Sequence, residues 1–309
     1  MSKTKPVGDR FEGGATSYPP RLPQPRSIQD IYRHILDYGR EVDDTTEIVG
    51  VSIEITDDLL RSLWWRPGAE PAIGLLEGAM LVAGESYPQL LRELAPRFGD
   101  LAIDGQILHG AYGPRLRNPV AEVVELLRAH PSSRRAVMPI FRRDDLLREG
   151  WPADTPCTTT VQLLQRDGRL DLFTTMRSND AWLGLCYDAI MFRVLHSAVA
   201  SVLGARRGRY FHSTSSLHIY RRDEEMVREA LEQPEPVGGF ELEWPFRAEV
   251  WTPNSVGGWL PTRRRASKML SDFADSASSE SGYVAEGLPR LWRSALERAW
   301  AKIEKSRSS

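Results

Sequence analysis

The spacing of apolar residues predicts regular structure from residue 27 onward. Residues 1–26 carry a double glycine and several prolines, so we expect a flexible N-terminal tail there. Ser27 is a suitable N-cap for a helix whose apolar residues recur at helical spacing and which ends near Gly39. The alternation of apolar and polar residues over 49–55 predicts that a strand follows.

Further helices are predicted from the same periodicity and from capping residues. Residues 70–83 present an apolar face with Glu77 beside it, an unusual position for a carboxylate. A helix is predicted to begin at Pro119, since proline suits the first helical position. Residues 188–203 are apolar nearly all round, which is typical of a buried helix. The last helix is predicted over residues 288–302.

The remaining segments are predicted strands and loops. The strands are residues 135–141, residues 159–164 and 170–175 as a hairpin around Asp167-Gly168, and residues 210–220. Residues 271–281 are rich in Ser, Asp and Ala, and Arg263-Arg264-Arg265 is a short charge cluster, so both are predicted to be loops. No linker-like composition interrupts residues 27–309, which we interpret as a single α+β domain.

Composition and charge narrow the class of protein. The 309 residues contain 40 Lys and Arg against 42 Asp and Glu, a formal net charge of −2, which argues against a nucleic-acid binder. No apolar run approaches the roughly 20 residues that span a bilayer, and the first residues lack a signal-peptide core. Two cysteines suit a reducing compartment. We therefore expect a cytoplasmic protein that binds neither nucleic acid nor membrane.

Residues 154–220 contain an ordered set of residue types that carry chemistry. Cys157 directly follows a proline, and Arg177, Asp188 and His218 follow Cys157 by 20, 31 and 61 residues. Together with Arg177-Ser178-Asn179-Asp180, Leu183-Gly184-Leu185-Cys186-Tyr187-Asp188 and His218-Ile219-Tyr220, this set resembles the thymidylate synthase family. The resemblance extends, more weakly, to Ser132-Ser133-Arg134-Arg135, Ala111-Tyr112-Gly113 and Glu77 with Gly84.

The resemblance implies a fold and a nucleophile. The implied fold is a mixed sheet packed with helices that dimerises through one sheet face. Cys157 matches the family's nucleophile, which adds to C6 of a pyrimidine and makes C5 reactive toward a one-carbon electrophile. A free thiol ionises only near pH 8.5, so it needs a cationic neighbour, and Arg177 matches that position.

The resemblance also implies the binding residues. Arg134, Arg135, Arg177 and Ser178 match the phosphate site, in which the arginine pair comes from the partner subunit of a homodimer. The family's sugar-binding positions correspond to His218 and Tyr220, and its folate-binding positions to Asp180 and Gly184. Asp180 is equally well interpreted as a capping residue. Glu77 matches the general acid or base, and Tyr112 is grouped with it as catalytic.

Asp188 departs from the thymidylate synthase pattern, which has asparagine at this position to bind the uracil edge. An ionised carboxylate only accepts hydrogen bonds, so it repels O4 of uracil and accepts from the 4-amino group of cytosine. If protonated, it could also donate to N3. This pattern resembles the deoxycytidylate and cytidylate 5-hydroxymethylases of the family. Asp188 could also cap the helix that follows it.

The expected reaction is hydroxymethylation of dCMP or CMP with 5,10-methylenetetrahydrofolate and without a metal. Residues 98–112 lack the tryptophans that the family packs near folate, so we expect water, positioned by Glu77, in place of hydride. The alternatives are a thymidylate synthase that methylates dUMP and a nucleotide-binding relative without catalysis. Cys186, His196 and His212 are expected to be structural.

Overall fold

The computed structural model describes residues 21–64, 66–95, 108–146, 154–235, 242, 245, 259–278 and 288–307. Its helices are α1 (Ile28–Tyr38), α2 (Asp57–Trp64), α3 (Pro71–Ala83), α4 (Pro88–Leu94), α5 (Tyr112–Leu116), α6 (Pro119–Ala129), α7 (Gly184–Leu203), α8 (Glu224–Leu231), α9 (Leu260–Ser278) and α10 (Arg290–Arg307). Its strands are β1 (Arg40–Val42), β2 (Thr45–Glu54), β3 (Val137–Pro139), β4 (Thr158–Arg166), β5 (Arg169–Met176), β6 (Asn179–Asp180) and β7 (Arg206–Tyr220).

Within the described residues, the strands form one seven-stranded mixed sheet in the order β1-β2-β7-β5-β4-β3, with β6 also paired to β7. The long strand β7 is antiparallel to β2 and parallel to β5 and β6. Because β6 pairs with the last part of β7, Asp180 lies opposite His218. The predicted mixed α+β architecture is confirmed.

The β4–β5 hairpin brings two distant segments of the sequence together. Asp167 and Gly168 have φ angles of 50° and 69°, the left-handed conformation that a tight two-residue turn requires. Cys157 immediately precedes β4 and Arg177 immediately follows β5. Because the two strands pair along their length, the Arg177 N–H donates to the Cys157 carbonyl at 2.8 Å.

Helix α7 forms the centre of the core and is buried on nearly all sides, as its apolar sequence predicts. Helix α3 packs against it at two glycines. A Cβ at Gly74 would lie 2.8 Å from Ile190 Cβ, and one at Gly78 would lie 2.6 Å from Val194 Cβ. The absence of side chains therefore permits the close approach of α3, which carries Glu77, to α7, which carries Asp188.

The opposite face of the sheet is more exposed. On β5, Leu170 and Leu172 are fully buried, whereas Phe173 between Leu172 and Thr174 is only partly buried. Phe173 stacks on Phe211 of β7 with ring centroids 5.0 Å apart. This face thus carries partly exposed aromatic side chains, whereas the side chains of the other face are buried beneath helices.

Most predicted elements are confirmed, with ends displaced by a few residues. The predicted loop over 271–281 is wrong for its described part, because α9 continues to Ser278 and also includes Arg263-Arg264-Arg265. Buried Leu270 and Phe273 lie on one face of α9, and their burial outweighs the polar composition. The short helices α2 and α4 were not predicted. Residues 1–20 and 279–281 lie outside the described part of the chain.

Among the described residues, α7 is one helix that is long and apolar enough to cross a membrane by length and composition. The helix is not an uninterrupted apolar run, since it contains Asp188 and Arg193. In this fold, 89% of that stretch is buried inside the protein.

Candidate active site

A cavity of about 160 Å³ lies between α3, α5 and α7. Three predicted catalytic side chains line it: Glu77 from α3, Tyr112 from α5 and Asp188 from α7. The apolar part of its wall consists of Met80, Leu81, Leu91, Leu108 and Met191. An apolar wall with a few polar groups is suited to a flat heteroaromatic ring whose edge needs hydrogen bonds.

Cys157 lies next to this cavity, on the segment that leads into β4. The adjacent Thr158 N–H donates to the Tyr112 hydroxyl at 3.1 Å, which ties the cysteine segment to the cavity wall. Burial raises the pKa of the Cys157 thiol, Arg177 opposes this effect, and Asp188 and Asp154 add to it. Arg177 therefore favours the thiolate as expected, but desolvation by burial has the larger effect, so the net shift of the pKa is upward.

Arg177 is anchored beside the thiol by the backbone that precedes it. Its Nε donates to the Pro156 carbonyl and its Nη2 to the Thr155 carbonyl, both at 3.0 Å. The residue is exposed. Since a guanidinium has five N–H donors, this anchoring leaves donors that an anionic ligand can use.

His218 and Asp180 face each other where β6 meets β7. Burial raises the pKa of Asp180 and lowers that of His218, while the opposite charge of the partner opposes each shift. The Asp180 carboxylate also accepts from the N–H groups of Trp182 at 2.8 Å and Leu183 at 3.1 Å. Asp180 thus stabilises the turn that precedes α7 but does not cap the helix itself, whose N-cap is Leu183. Its folate-binding role stays a prediction.

Tyr220 and Ser178 lie near this corner and are partly exposed. The Tyr220 ring meets His218 edge-on with centroids 5.1 Å apart. The structure therefore brings His218 and Tyr220 together on β7, at the end nearest β6.

Asp188 lies inside α7, four residues after the helix begins at Gly184. It does not cap the helix, so that alternative is wrong. Burial raises the pKa of Asp188 to about 7, and the like charge of Asp180 acts in the same direction. Asn179 Nδ2 donates to Asp188 Oδ2 at 2.8 Å and opposes the shift. Burial thus favours the protonated form of Asp188 far more than in an ordinary aspartate.

Gly184 lies directly beside this pair. A Cβ on Gly184 would lie 3.0 Å from Asn179 Nδ2 and 3.4 Å from Asp188 Oδ2. The glycine therefore leaves room for the Asn179–Asp188 hydrogen bond. Its predicted contact with folate is not tested.

Comparison with known proteins identifies the family. A family model described as thymidylate synthase matches residues 94–249, just over half of the chain. The chain belongs to the thymidylate synthase family. The matched segment includes Tyr112, Cys157, Asp188 and His218, whereas Glu77 precedes it.

Two viral relatives carry a more specific name within this family. The deoxyuridylate hydroxymethyltransferase of Pseudomonas phage M6 is 29% identical over 206 residues, which are 62% of this chain and 57% of the relative. The deoxyuridylate hydroxymethyltransferase of Bacillus phage SP01 is 27% identical over 219 residues, 65% of this chain and 52% of the relative. The match thus spans about half the length of each relative.

The predicted phosphate residues of this thymidylate synthase family member are not brought together within one chain. Arg134 and Arg135 are exposed, precede β3 and do not line the cavity, whereas Arg177 and Ser178 lie beside Cys157. The prediction that the arginine pair serves a partner subunit is untested. Among the described residues, no group of three or more His, Cys, Asp or Glu side chains is placed to hold a metal ion.

Two residues at the site were missed by the sequence analysis. Asp154 lines the cavity and accepts from the Gly110 N–H at 2.7 Å, and burial raises its pKa. Asn179 binds Asp188 from β6. Both lie within the motifs that carried the resemblance, but their contacts depend on strand and loop placement that residue spacing alone does not give.

Proposed function

We propose that this protein hydroxymethylates C5 of a cytidine nucleotide, dCMP or CMP, with 5,10-methylenetetrahydrofolate as one-carbon donor. The observation that supports the cytidine substrate is Asp188, a carboxyl group with a pKa of about 7 in the wall of an apolar cavity. The names of the two phage relatives support hydroxymethyl transfer.

The base would be bound through its 3 and 4 positions. A protonated Asp188 can donate to N3 of cytosine while its other oxygen accepts from the 4-amino group. An ionised Asp188 faces repulsion from O4 of uracil. Because unpaired or repelling polar groups in a buried site are costly, one carboxyl group can discriminate strongly between bases.

The sulfur of Cys157 would add to C6 of the base. The thiol proton leaves to a base as the C6–S bond forms, and the electron pair of the C5–C6 double bond moves to C5 and, through the C4=N3 double bond, to N3. Asp188 stabilises this charge by donating its proton to N3. Because the pKa of the Cys157 thiol is raised, the thiol is protonated before the substrate binds. Its deprotonation would then take place in the complex with the substrate.

Asp180 and Gly184, which lie outside the wall of the cavity, would contact the folate co-substrate. When bound, methylenetetrahydrofolate supplies a one-carbon unit at the oxidation level of formaldehyde. Glu77, which lines the same cavity as Asp188, would position the water that completes the hydroxymethyl group and hold its proton. Loss of the C5 proton to a base, followed by loss of the thiolate from C6, restores the aromatic base and frees Cys157.

The phosphate would bind Arg177 and Ser178 together with Arg134 and Arg135 of a second subunit, and His218 and Tyr220 would bind the sugar 3′-hydroxyl. Two observations support a homodimer: Arg134 and Arg135 are exposed away from the cavity, and one sheet face carries the partly exposed Phe173–Phe211 stack. Aromatic side chains on such a face are typical of an interface.

Hydroxymethylation of deoxyuridylate is the second candidate function, since both phage relatives are named for it. The discriminating experiment mixes the purified protein with methylenetetrahydrofolate and, separately, dCMP, CMP and dUMP, and identifies the products by mass spectrometry. A 5-hydroxymethyl cytidylate without dihydrofolate is the expected result. A hydroxymethyl or methyl product from dUMP alone would overturn the proposed base recognition.

The role of Cys157 is tested by Cys157→Ser. This variant is expected to bind nucleotide with little change but to lose turnover by orders of magnitude, because a hydroxyl is a far weaker nucleophile than a thiolate. Equilibrium binding of dCMP and single-turnover product formation measure the two properties separately. A near-normal rate would remove Cys157 from the mechanism.

A further inference from the structure

A line of buried hydrogen bonds extends from Asp188 into the core. Asn179 is 2% exposed; its Nδ2 donates to Asp188 Oδ2 at 2.8 Å, and its Oδ1 lies 3.0 Å from His212 Nε2. His212 is fully buried, and its Nδ1 lies 3.0 Å from the Tyr210 hydroxyl and 3.1 Å from the Thr174 hydroxyl. The proposed reaction assigns no role to Asn179 or His212.

The chemistry of these groups determines which atom donates and which accepts in each hydrogen bond. An ionised Asp188 only accepts, so Asn179 must turn its amide N–H toward Oδ2 and its carbonyl toward His212. Burial lowers the pKa of His212 to about 4, so the ring is neutral and has one donor nitrogen. That donor is then Nε2, which meets the Asn179 carbonyl, and Nδ1 accepts from the Tyr210 or Thr174 hydroxyl.

Exchanging donor and acceptor along these hydrogen bonds is costly. Rotation of the Asn179 amide would turn an N–H toward the N–H of His212 unless the histidine tautomer and the hydroxyl protons changed at the same time. Unpaired donors that meet in a buried site cost roughly 1–3 kcal/mol each. Asp188 Oδ2 is therefore held as an acceptor, and a proton on this carboxyl group resides on Oδ1.

We propose that Asn179, oriented by His212, is a positioning residue that fixes which oxygen of Asp188 carries the proton, and thereby makes the site select cytosine over uracil. This inference rests on the proposed function, in which Asp188 binds the base edge. It implies that Oδ1 meets ring position 3 and that Oδ2 meets position 4.

A protonated carboxyl group without a fixed polarity would not discriminate between the bases. It could donate to N3 and accept from the 4-amino group of cytosine, or, with the proton on the other oxygen, accept from N3–H and donate to O4 of uracil. Each base needs the opposite arrangement of donor and acceptor. Fixing Oδ2 as the acceptor retains the cytosine arrangement and excludes the other.

The test is the ratio of dissociation constants for dUMP and dCMP, measured by calorimetry on the full-length chain without folate. Asn179→Leu keeps the size of the side chain and removes both hydrogen bonds, so the ratio is expected to fall by about tenfold or more. His212→Gln acts only through Asn179, so a smaller shift in the same direction is expected. If Asn179→Leu does not fold, His212→Gln alone tests the positioning role.

Thr214→Val is the matched control. Thr214 is a buried residue on the same strand as His212, and its hydroxyl donates to the Ser216 carbonyl at 3.0 Å rather than toward Asp188. Loss of one buried hydrogen bond at this position is expected to lower stability and to leave the ratio unchanged. A merely structural role of Asn179 would produce the same result as this control.

Asp188→Asn, measured in parallel, distinguishes failure of the positioning role from failure of the proposed base recognition. If Asp188→Asn shifts the preference toward dUMP while Asn179→Leu and His212→Gln leave the ratio unchanged, the positioning role is wrong and the proposed function stands. If the unmodified protein shows no preference for dCMP and Asp188→Asn changes nothing, the proposed base recognition is wrong, and the positioning role with it.

Discussion

Asp188 illustrates how burial changes the chemistry of one residue. A carboxyl group in water ionises near pH 4, but this one borders an apolar cavity within the core helix, and its pKa rises to about 7. Tyr112 and Cys157, which also interact with Asp188, have raised pKa values and remain protonated at neutral pH. Of these three groups, Asp188 is therefore the first to lose its proton as the pH rises.

This shift predicts a pH-dependent effect of Asp188→Asn on stability. Between about pH 4 and pH 7 the folded protein holds a proton that the unfolded chain has lost, so the carboxyl group destabilises the fold increasingly as pH rises through this window. The substitution should therefore stabilise the protein by about 2 kcal/mol more at pH 8 than at pH 5.

Urea unfolding at the two pH values measures this difference. The experiment contains its own control. Any change in packing caused by the substitution would alter the free energy of unfolding equally at both pH values. An equal effect at pH 5 and pH 8 would show that Asp188 ionises normally in the folded protein.

At the scale of elements, the contact between α3 and α7 brings Glu77 and Asp188 to the wall of the same cavity. Gly74 and Gly78 allow the two helices to approach more closely than any side chain would permit. The helix predicted over residues 70–83 assigned no role to these glycines. Their function depends on which helix lies across them, which the local sequence does not indicate.

Gly78→Ala tests this contact. The added Cβ would lie 2.6 Å from Val194 Cβ, so the helices must separate, at a cost of about 1–3 kcal/mol that the better helix propensity of alanine offsets by about 1 kcal/mol. We expect lower stability and a greater loss of turnover than of nucleotide affinity, because Glu77 moves away from the base.

The matched variant is Gly78→Ala combined with Val194→Gly, which removes both the Cβ and the methyl group that the new Cβ meets. Its stability should exceed the sum of the two single effects, since each substitution alone either overfills or empties the contact. Additive single effects in urea unfolding would mean that the glycine does not determine the distance between the helices.

At the scale of the whole molecule, we propose that a second copy of the chain completes the site. Within one chain, Arg177 lies beside Cys157, whereas Arg134 and Arg135 are exposed elsewhere. In a symmetric dimer each subunit would donate its arginine pair to the site of the other. This arrangement gives a prediction that a monomeric enzyme cannot satisfy.

Cys157→Ser and Arg135→Ala subunits should each be nearly inactive alone and should recover activity when co-expressed with different tags. About half of randomly assembled dimers would be mixed and would hold one complete site, giving roughly a quarter of normal activity. Tagged mixed dimers isolated in two affinity steps allow the rate per dimer to be measured. Mixed dimers without recovered activity would place Arg135 in the site of its own subunit.

The sequence predicted local structure well where the local signal matches the final environment. Helix α7 is apolar on all sides because it is buried on all sides, and Asp167-Gly168 forms a tight turn because few residue pairs adopt that conformation. The prediction for α9 was wrong because its buried face is decided by the element it packs against, which outweighs its Ser- and Asp-rich composition.

The sequence by itself determined the family and predicted Cys157 as the nucleophile and Asp188 as the residue that binds the base, because these follow from residue types at fixed intervals. Only the tertiary structure decided the protonation of that acid and the residue that orients it. The pKa of Asp188 depends on burial, and its contact with Asn179 depends on the pairing of β6 with β7. Both result from long-range packing, on which the spacing of residues along the chain carries no information.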